Sequence, residues 1–276
     1  MYVPWKLKST IFRIIDVLGA HQWVSFLSKY VTRRAIHHAR RMNPDWVTHK
    51  RLAEKYLGDK IPLLFEFGAG KNLKQNLYLS QIADHQILYD LANLADIDLI
   101  NTAITDLKRR GILDKDANYL GSLSDLTSYG IEYFAPADAR NTHLESDSID
   151  VCVSTDTLEH IPRDDLILIF RELKRILKPD GIVIAKIDYT DHYSHTDPFI
   201  PMNNFHTFSE DEWKRYNHVS HYQNRLSHDD YLGVFEQCAF EVMEQEVNSI
   251  LLSAGESDPA DQFISSAFFV LRKHEN

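Results

Sequence analysis

The chain has 276 residues, a formal net charge of −10, 44% hydrophobic and 25% charged residues, a balance ordinary for a globular protein able to bury a core. Its two cysteines, Cys152 and Cys238, sit in no CxxC pair, which excludes a disulfide framework or zinc knuckle and points to a reducing, cytoplasmic home. No run of about 18 uncharged apolar residues occurs, and Arg13 and Asp16 interrupt the only signal-like stretch, so neither a transmembrane span nor a secretory leader is expected.

Residues 1–60 hold 12 Lys and Arg against 4 Asp and Glu, and the remainder holds 18 against 36. A basic head on an acidic body suits docking of one onto the other, and leaves open a peripheral membrane contact or an anionic acceptor. Within the head, Ile11, Phe12, Ile15 and Leu18 recur at helical spacing until Gly19. A second helix is expected from His21, carrying Trp23, Phe26, Leu27 and Tyr30, and a third over 46–56 after the stop-and-cap signal Asn43-Pro44-Asp45.

From residue 61 the pattern changes. Ile61–Phe67 reads as a buried parallel strand running into Gly68-Ala69-Gly70, followed by a helix over 72–83. Further strands are expected at Gln86–Asp90, Ile131–Ala135, Ile149–Ser154 and Ile182–Ile187, then at about 240–247 and 264–272. Helices fall at 94–110, 163–177 and 228–238, and Lys178-Pro179-Asp180-Gly181 reads as a turn. This alternation predicts an α/β fold, a doubly wound, mostly parallel seven-stranded sheet. It divides the chain into an N-terminal helical extension, 1–60, and a Rossmann-like domain, 61–276, with an insertion after strand five at about 189–226.

A nucleoside cofactor is suggested by two features at neighbouring strand ends. Glycines 68 and 70 let a backbone approach a ligand without a Cβ in the way. Asp90, 20 residues after Gly70, can accept hydrogen bonds from ribose hydroxyls. The dinucleotide fingerprint wants a third glycine where this chain has Leu73, so pyrophosphate binding is less favoured.

Residues 63–187 resemble a class I S-adenosylmethionine-dependent methyltransferase of the methyltransferase-11 type. The resemblance rests on Leu64–Gly70, Asp90, Ala137-Asp138-Ala139, Ser148–Ser154 with Leu158-Glu159-His160-Ile161, and Arg171–Gly181. It departs from the family at Asn72, where a small residue is common. It implies S-adenosylmethionine as cofactor, held by Glu66, Gly68, Ala69, Gly70, Asp90, Leu91, Ala137, Asp138, Ala139, Ser154, Thr155 and Asp156.

The acceptor side is read from the histidine-rich insertion. His192 is the expected general base, oriented by Asp191 or Asp188, with His195 as second choice; an imidazole titrates in the right range for this work. His192, His195 and Asp197, or Asp156 with Asp188, offer metal-ligand types without a defined spacing, and no metal is assigned. Phe199, Phe205, Phe208, Trp213, Tyr216 and Tyr222 could form a lid or pack the insertion onto the core, and Ser209-Glu210-Asp211-Glu212-Trp213 reads as a capped helix start. The leading expectation is O-methylation of a small-molecule or saccharide acceptor. The acidic body disfavours nucleic acid. A nicotinamide-dependent oxidoreductase and a non-catalytic cofactor-binding interaction protein are the alternatives.

Overall fold

The computed structural model of the chain describes residues 3–20, 29, 33–251 and 262–274. The helix expected from His21, with Trp23, Phe26, Leu27 and Tyr30, lies outside them.

Seven strands form one sheet: β1 (Ile61–Phe67), β2 (Ala83–Tyr89), β3 (Ile131–Phe134), β4 (Ile149–Thr155), β5 (Leu177–Asp188), β6 (Phe240–Leu251) and β7 (Gln262–Lys273), in the order β3-β2-β1-β4-β5-β7-β6. The first five pair in parallel, and β7 runs antiparallel to both β5 and β6. Strand order reverses between β1 and β4, and in such sheets the crevice beyond the carboxyl ends of those strands receives ligands.

Alternation along each strand feeds a core on both faces, because successive side chains point to opposite sides. Phe65 of β1 and Cys152 of β4 pack under the helix α6 (Arg163–Ile176), whose apolar stripe Leu166, Ile169, Phe170, Leu173 and Ile176 is buried. Leu64, Val151 and Val153 face the other way, against Trp46, Leu52 and Ala53 of α3 (Pro44–Leu57). The side chain of Asn43 accepts from the Asp45 amide, and Pro44 opens that helix, as the local sequence predicts. A third cluster joins α4 (Lys74–Leu79) and α5 (Ile97–Arg109) through Leu77, Ile100 and Ile104. The two helices are also tied by a fully buried ion pair, Lys74 Nζ to Asp106 Oδ2 at 2.7 Å. Burial works against the Asp106 carboxylate, yet hydrogen bonds from Lys74, Arg110 and Arg109 bring its pKa down to about 2.

Two boundaries differ from the sequence reading. The expected helix over 72–83 is shorter, and β2 begins at Ala83 because pairing of Ile61 with Ala83 recruits the polar Asp84 and His85 into the ladder. The expected turn Lys178–Gly181 lies inside β5: the ladder pairs Ile149 with Leu177, then Val151 with Ile182, so the turn residues bulge from a continuing strand.

The insertion after β5 and the first helix, α1 (Trp5–Leu18), form one cover. Trp5 packs on Tyr193, Phe208, Trp213 and Tyr216 with ring centroids 4.8–6.4 Å apart. Its amide donates to Asp197 Oδ2 at 2.9 Å, and Ser9 Oγ meets His218 Nε2 at 2.9 Å. Within the cover the Ser209–Glu212 capping box starts the short helix α7 (Glu210–Trp213), and Ser227–Asp230 repeats it at α8 (His228–Gln237). Among the described residues, no helix is long and apolar enough to cross a membrane.

Candidate active site

The turn after β1 is shaped by two left-handed glycines, Gly68 (φ 75°) and Gly70 (φ 78°). A Cβ on Gly68 would lie 2.4 Å from Thr157 Cγ2, so Thr157 would have to move, and the left-handed backbone disfavours any side chain there. Leu73 is also left-handed, at φ 44°, where the dinucleotide pattern has glycine; a buried Leu there shows that the turn geometry persists without its usual residue. Asn72 Oδ1 accepts from the Lys74 amide at 3.0 Å, closing the turn that leads into the next helix.

Beside this turn, Asp90 Oδ2 accepts from Tyr133 Oη at 2.9 Å and the Gly70 amide at 3.3 Å. Burial pushes its carboxyl up to about 6, against the pull of those two donors. A cavity of about 330 Å³ opens here, lined by Asp90, Leu91, Ala137, Asp138, Ala139 and Ile161. A second, of about 550 Å³, lies on the other side of Gly68, lined by Glu66, Ala69, Gly70, Thr155 and Asp156, by Arg34 and His38 of the short helix α2 (Arg34–Arg40), and by Trp46 of α3. Every residue expected at the cofactor lines one or the other except Ser154, whose hydroxyl is buried behind β4.

Three of these side chains do other work than expected. Glu66 turns inward to accept from Asn76 Nδ2 at 2.6 Å and Gln75 Nε2 at 3.1 Å, and burial lifts its carboxyl to about 8. Expected as a hydrogen-bond partner of the cofactor, it lines the larger cavity and also braces β1 to α4. Thr155 Oγ1 donates to Gln75 Oε1 at 2.8 Å and meets the buried His49 Nε2 at 2.7 Å, extending that brace to α3. The Asp138 carboxylate is engaged by Arg140 Nε at 3.0 Å and by Arg140 Nη2 at 2.6 Å, with Arg140 reaching on to Asp165.

At its carboxyl end, β5 delivers Asp188 and the loop beyond it. Asp188 Oδ1 accepts from the Thr190 amide and hydroxyl at 2.8 and 2.6 Å, and Oδ2 lies 3.5 Å from His192 Nε2 and 3.7 Å from His195 Nε2. Burial alone would raise the Asp188 carboxyl, but His192 and Thr190 together hold it well below the usual carboxylate range. Burial lowers the His192 imidazole, and Asp188 only partly restores it. Asp191 is turned away: it accepts from Asn204 Nδ2 and the Tyr193 amide, both at 2.8 Å, so of the two carboxylates expected to orient His192, Asp188 is the one placed to do so. Asp197 is likewise drawn off, onto the Trp5 and Phe199 amides.

Several neighbours escaped the sequence reading. Lys8 of α1 donates to the His192 carbonyl at 3.0 Å, with burial bringing its pKa down to about 8. Lys186 pairs with Asp156, a left-handed residue at φ 51°, at the end of β4. Glu159 and His160, quoted only as part of a motif, stand next to His192: the His160 and His192 rings are 4.9 Å apart. Glu159 is buried, and its carboxyl is raised well above the usual range by burial and by Asp156. One ligand atom each from Glu159, His160 and His192 lie within 4.8 Å of one another, as do those of Asp188, His192 and His195. The available signal was Asp156-Thr157-Leu158-Glu159-His160, which packs two carboxylates and an imidazole into one turn.

Strand order, a glycine turn and an acidic β2 end together define a class I, Rossmann-like methyltransferase architecture. Residues 80–185 match the methyltransferase-11 family model, described as a methyltransferase domain. That match covers less than half of the chain; it identifies a methyltransferase domain in these residues, of the kind for which S-adenosylmethionine is the implied cofactor. The YcgJ protein of Bacillus subtilis shares the fold over 87% of this chain and 100% of its own, with 16% identity and a TM-score of 0.51. A putative methyltransferase from Bacillus halodurans does so over 84% and 100%, with 12% identity and a TM-score of 0.52. A S-adenosylmethionine-dependent methyltransferase from Clostridium acetobutylicum covers 93% and 100%, with 12% identity and a TM-score of 0.50. No curated protein matches the chain. The nicotinamide and non-catalytic alternatives are not favoured by these findings.

Proposed function

We propose that the enzyme methylates a hydroxyl oxygen of a small-molecule or saccharide acceptor. The observation that carries this reading is the Asp188–His192 pair at the carboxyl end of β5, beside the His160 wall of the smaller cavity. S-adenosylmethionine, when bound, supplies an electrophilic methyl group on a sulfonium. Asp90 would accept from its ribose hydroxyls, the Ala137–Ala139 segment would receive its base, and the Gly68–Gly70 backbone would pass beneath it. What the chain must add is alignment, exclusion of water and removal of the hydroxyl proton. His192, uncharged at neutral pH because it is buried, is placed to take that proton, and Asp188 stabilises the imidazolium that results. Lys8 positions His192 through its carbonyl, so α1 takes part in shaping the acceptor side.

Trp46, His38, Asn43 and Gln75 give the larger cavity an aromatic face with polar edges, which suits a hydroxyl-rich acceptor. The test is a product analysis: the enzyme, S-adenosylmethionine and a panel of sugars and phenols, with methylated products identified by mass spectrometry and NMR. An O-methyl product lost in His192→Ala supports the reading. Methylation only of amines or carbon, or full turnover in His192→Ala, overturns it.

The outer row of α1, formed by Leu7, Ile11, Ile14 and Leu18, is exposed and flanked by Lys6 and Arg13. An apolar row with basic flanks suits the surface of an anionic bilayer. Sedimentation with phosphatidylglycerol vesicles but not phosphatidylcholine vesicles is expected. Equal recovery in the supernatant with both would dismiss this contact.

A further inference from the structure

We propose that Glu159, His160 and His192 form a binding site for a divalent transition-metal ion, with Asp188 beside it as a further ligand or partner. Three observations converge on the cluster. Its ligand atoms lie within 4.8 Å of one another. Around an ion with bonds of about 2.0–2.2 Å, ligand atoms sit roughly 3–4 Å apart, so the site closes by a shift of about an ångström or less.

Both oxygens of Glu159 are buried with no hydrogen-bond partner among the described residues, and Glu159 is only 3% exposed. A buried carboxyl with neither oxygen bonded is rare in a folded chain and calls for an ion or an unseen partner. His160 is set up as a ligand: its Nδ1 lies 2.7 Å from the Tyr222 carbonyl oxygen, which can only accept. The ring proton is therefore on Nδ1, and Nε2 presents a lone pair. A backbone carbonyl behind the far ring nitrogen is the support that metal-bound histidines carry.

Charge favours a cation as well. Asp156, Glu159 and Asp188 meet here, while Lys186 is already paired to Asp156 and Lys8 is held by the His192 carbonyl. Two imidazoles and a carboxylate select zinc or cobalt over magnesium and calcium, which prefer oxygen donors.

The ion's role, though not its binding, rests on the hydroxyl-acceptor reading. With the ion bound, His192 is a ligand and no longer the base. A hydroxyl oxygen on the ion is acidified. Its O–H bond breaks, the proton passes to His195, the O–CH3 bond forms, and the S–CH3 bond breaks with its electrons left on sulfur.

The test is titration of chelator-treated full-length protein with Co2+ and Zn2+, followed by visible absorption and calorimetry. One equivalent of Co2+ is expected to give d–d bands that Zn2+ abolishes, with no saturable response to Mg2+ at the same concentration. Glu159→Gln and His160→Ala should each weaken Co2+ binding at least tenfold while the far-ultraviolet circular dichroism, which reports the fold, stays that of wild type. Absence of saturable Co2+ and Zn2+ binding, or wild-type affinity in folded Glu159→Gln, overturns the site. Stoichiometric binding with no methylation of hydroxyl acceptors supports the site and fails the acceptor reading instead.

Discussion

The two ends of the crevice are built differently. At the end proposed for the cofactor, backbone shape does the work: two left-handed glycines, a turn crowded by Thr157, and one buried carboxylate at the tip of β2. At the acceptor end, side chains from four places in the chain meet: Lys8 of α1, Glu159 and His160 after β4, Asp188 on β5, and the insertion's histidines. A ligand common to a whole family can be held by turn geometry, which is local in sequence. A particular acceptor needs groups that only tertiary packing assembles.

Substitutions should separate the two ends. The largest effect expected is in His192→Ala, which lowers kcat by about 10²–10⁴ with S-adenosylmethionine affinity unchanged; steady-state kinetics beside calorimetry read both. Gly68→Ala comes next, because the new Cβ meets Thr157 and the backbone stays left-handed. A penalty of about 1–3 kcal/mol corresponds to roughly a 5- to 150-fold loss of cofactor affinity in titration. Trp5→Ala should spare cofactor binding but raise acceptor KM on the order of tenfold, since α1 is released from Tyr193 and Trp213. A cofactor affinity that falls with it would break the division.

The smallest effect is in pH. Burial places the Asp90 carboxyl at about 6, and only the carboxylate can accept from both ribose hydroxyls. Cofactor affinity should therefore be level above about pH 7 and fall as pH drops through 6. Asp90→Asn should be weak at every pH and lack that dependence.

The same contrast explains what could be read in advance. Strand spacing, Gly68, Gly70 and Asp90 are visible in sequence because each follows directly on a strand whose apolar pattern is plain. The inward turn of Glu66 was not visible, because its partners Gln75 and Asn76 are fixed by how α4 packs. Asp191 and Asp188 are indistinguishable as neighbours of His192 until the chain reverses and hands Asp191 to Asn204. Glu159 and His160 were legible as a motif, but their nearness to His192, more than 30 residues on, is a property of the β4 and β5 ends lying side by side.

The division is tested most directly by calorimetric titration of S-adenosylmethionine into wild type, Asp90→Asn and His192→Ala. Binding to wild type, weakening by about tenfold or more in Asp90→Asn, and wild-type affinity in His192→Ala are the predicted results. Equal weakening in both variants, or affinity in Asp90→Asn matching wild type, would contradict the account.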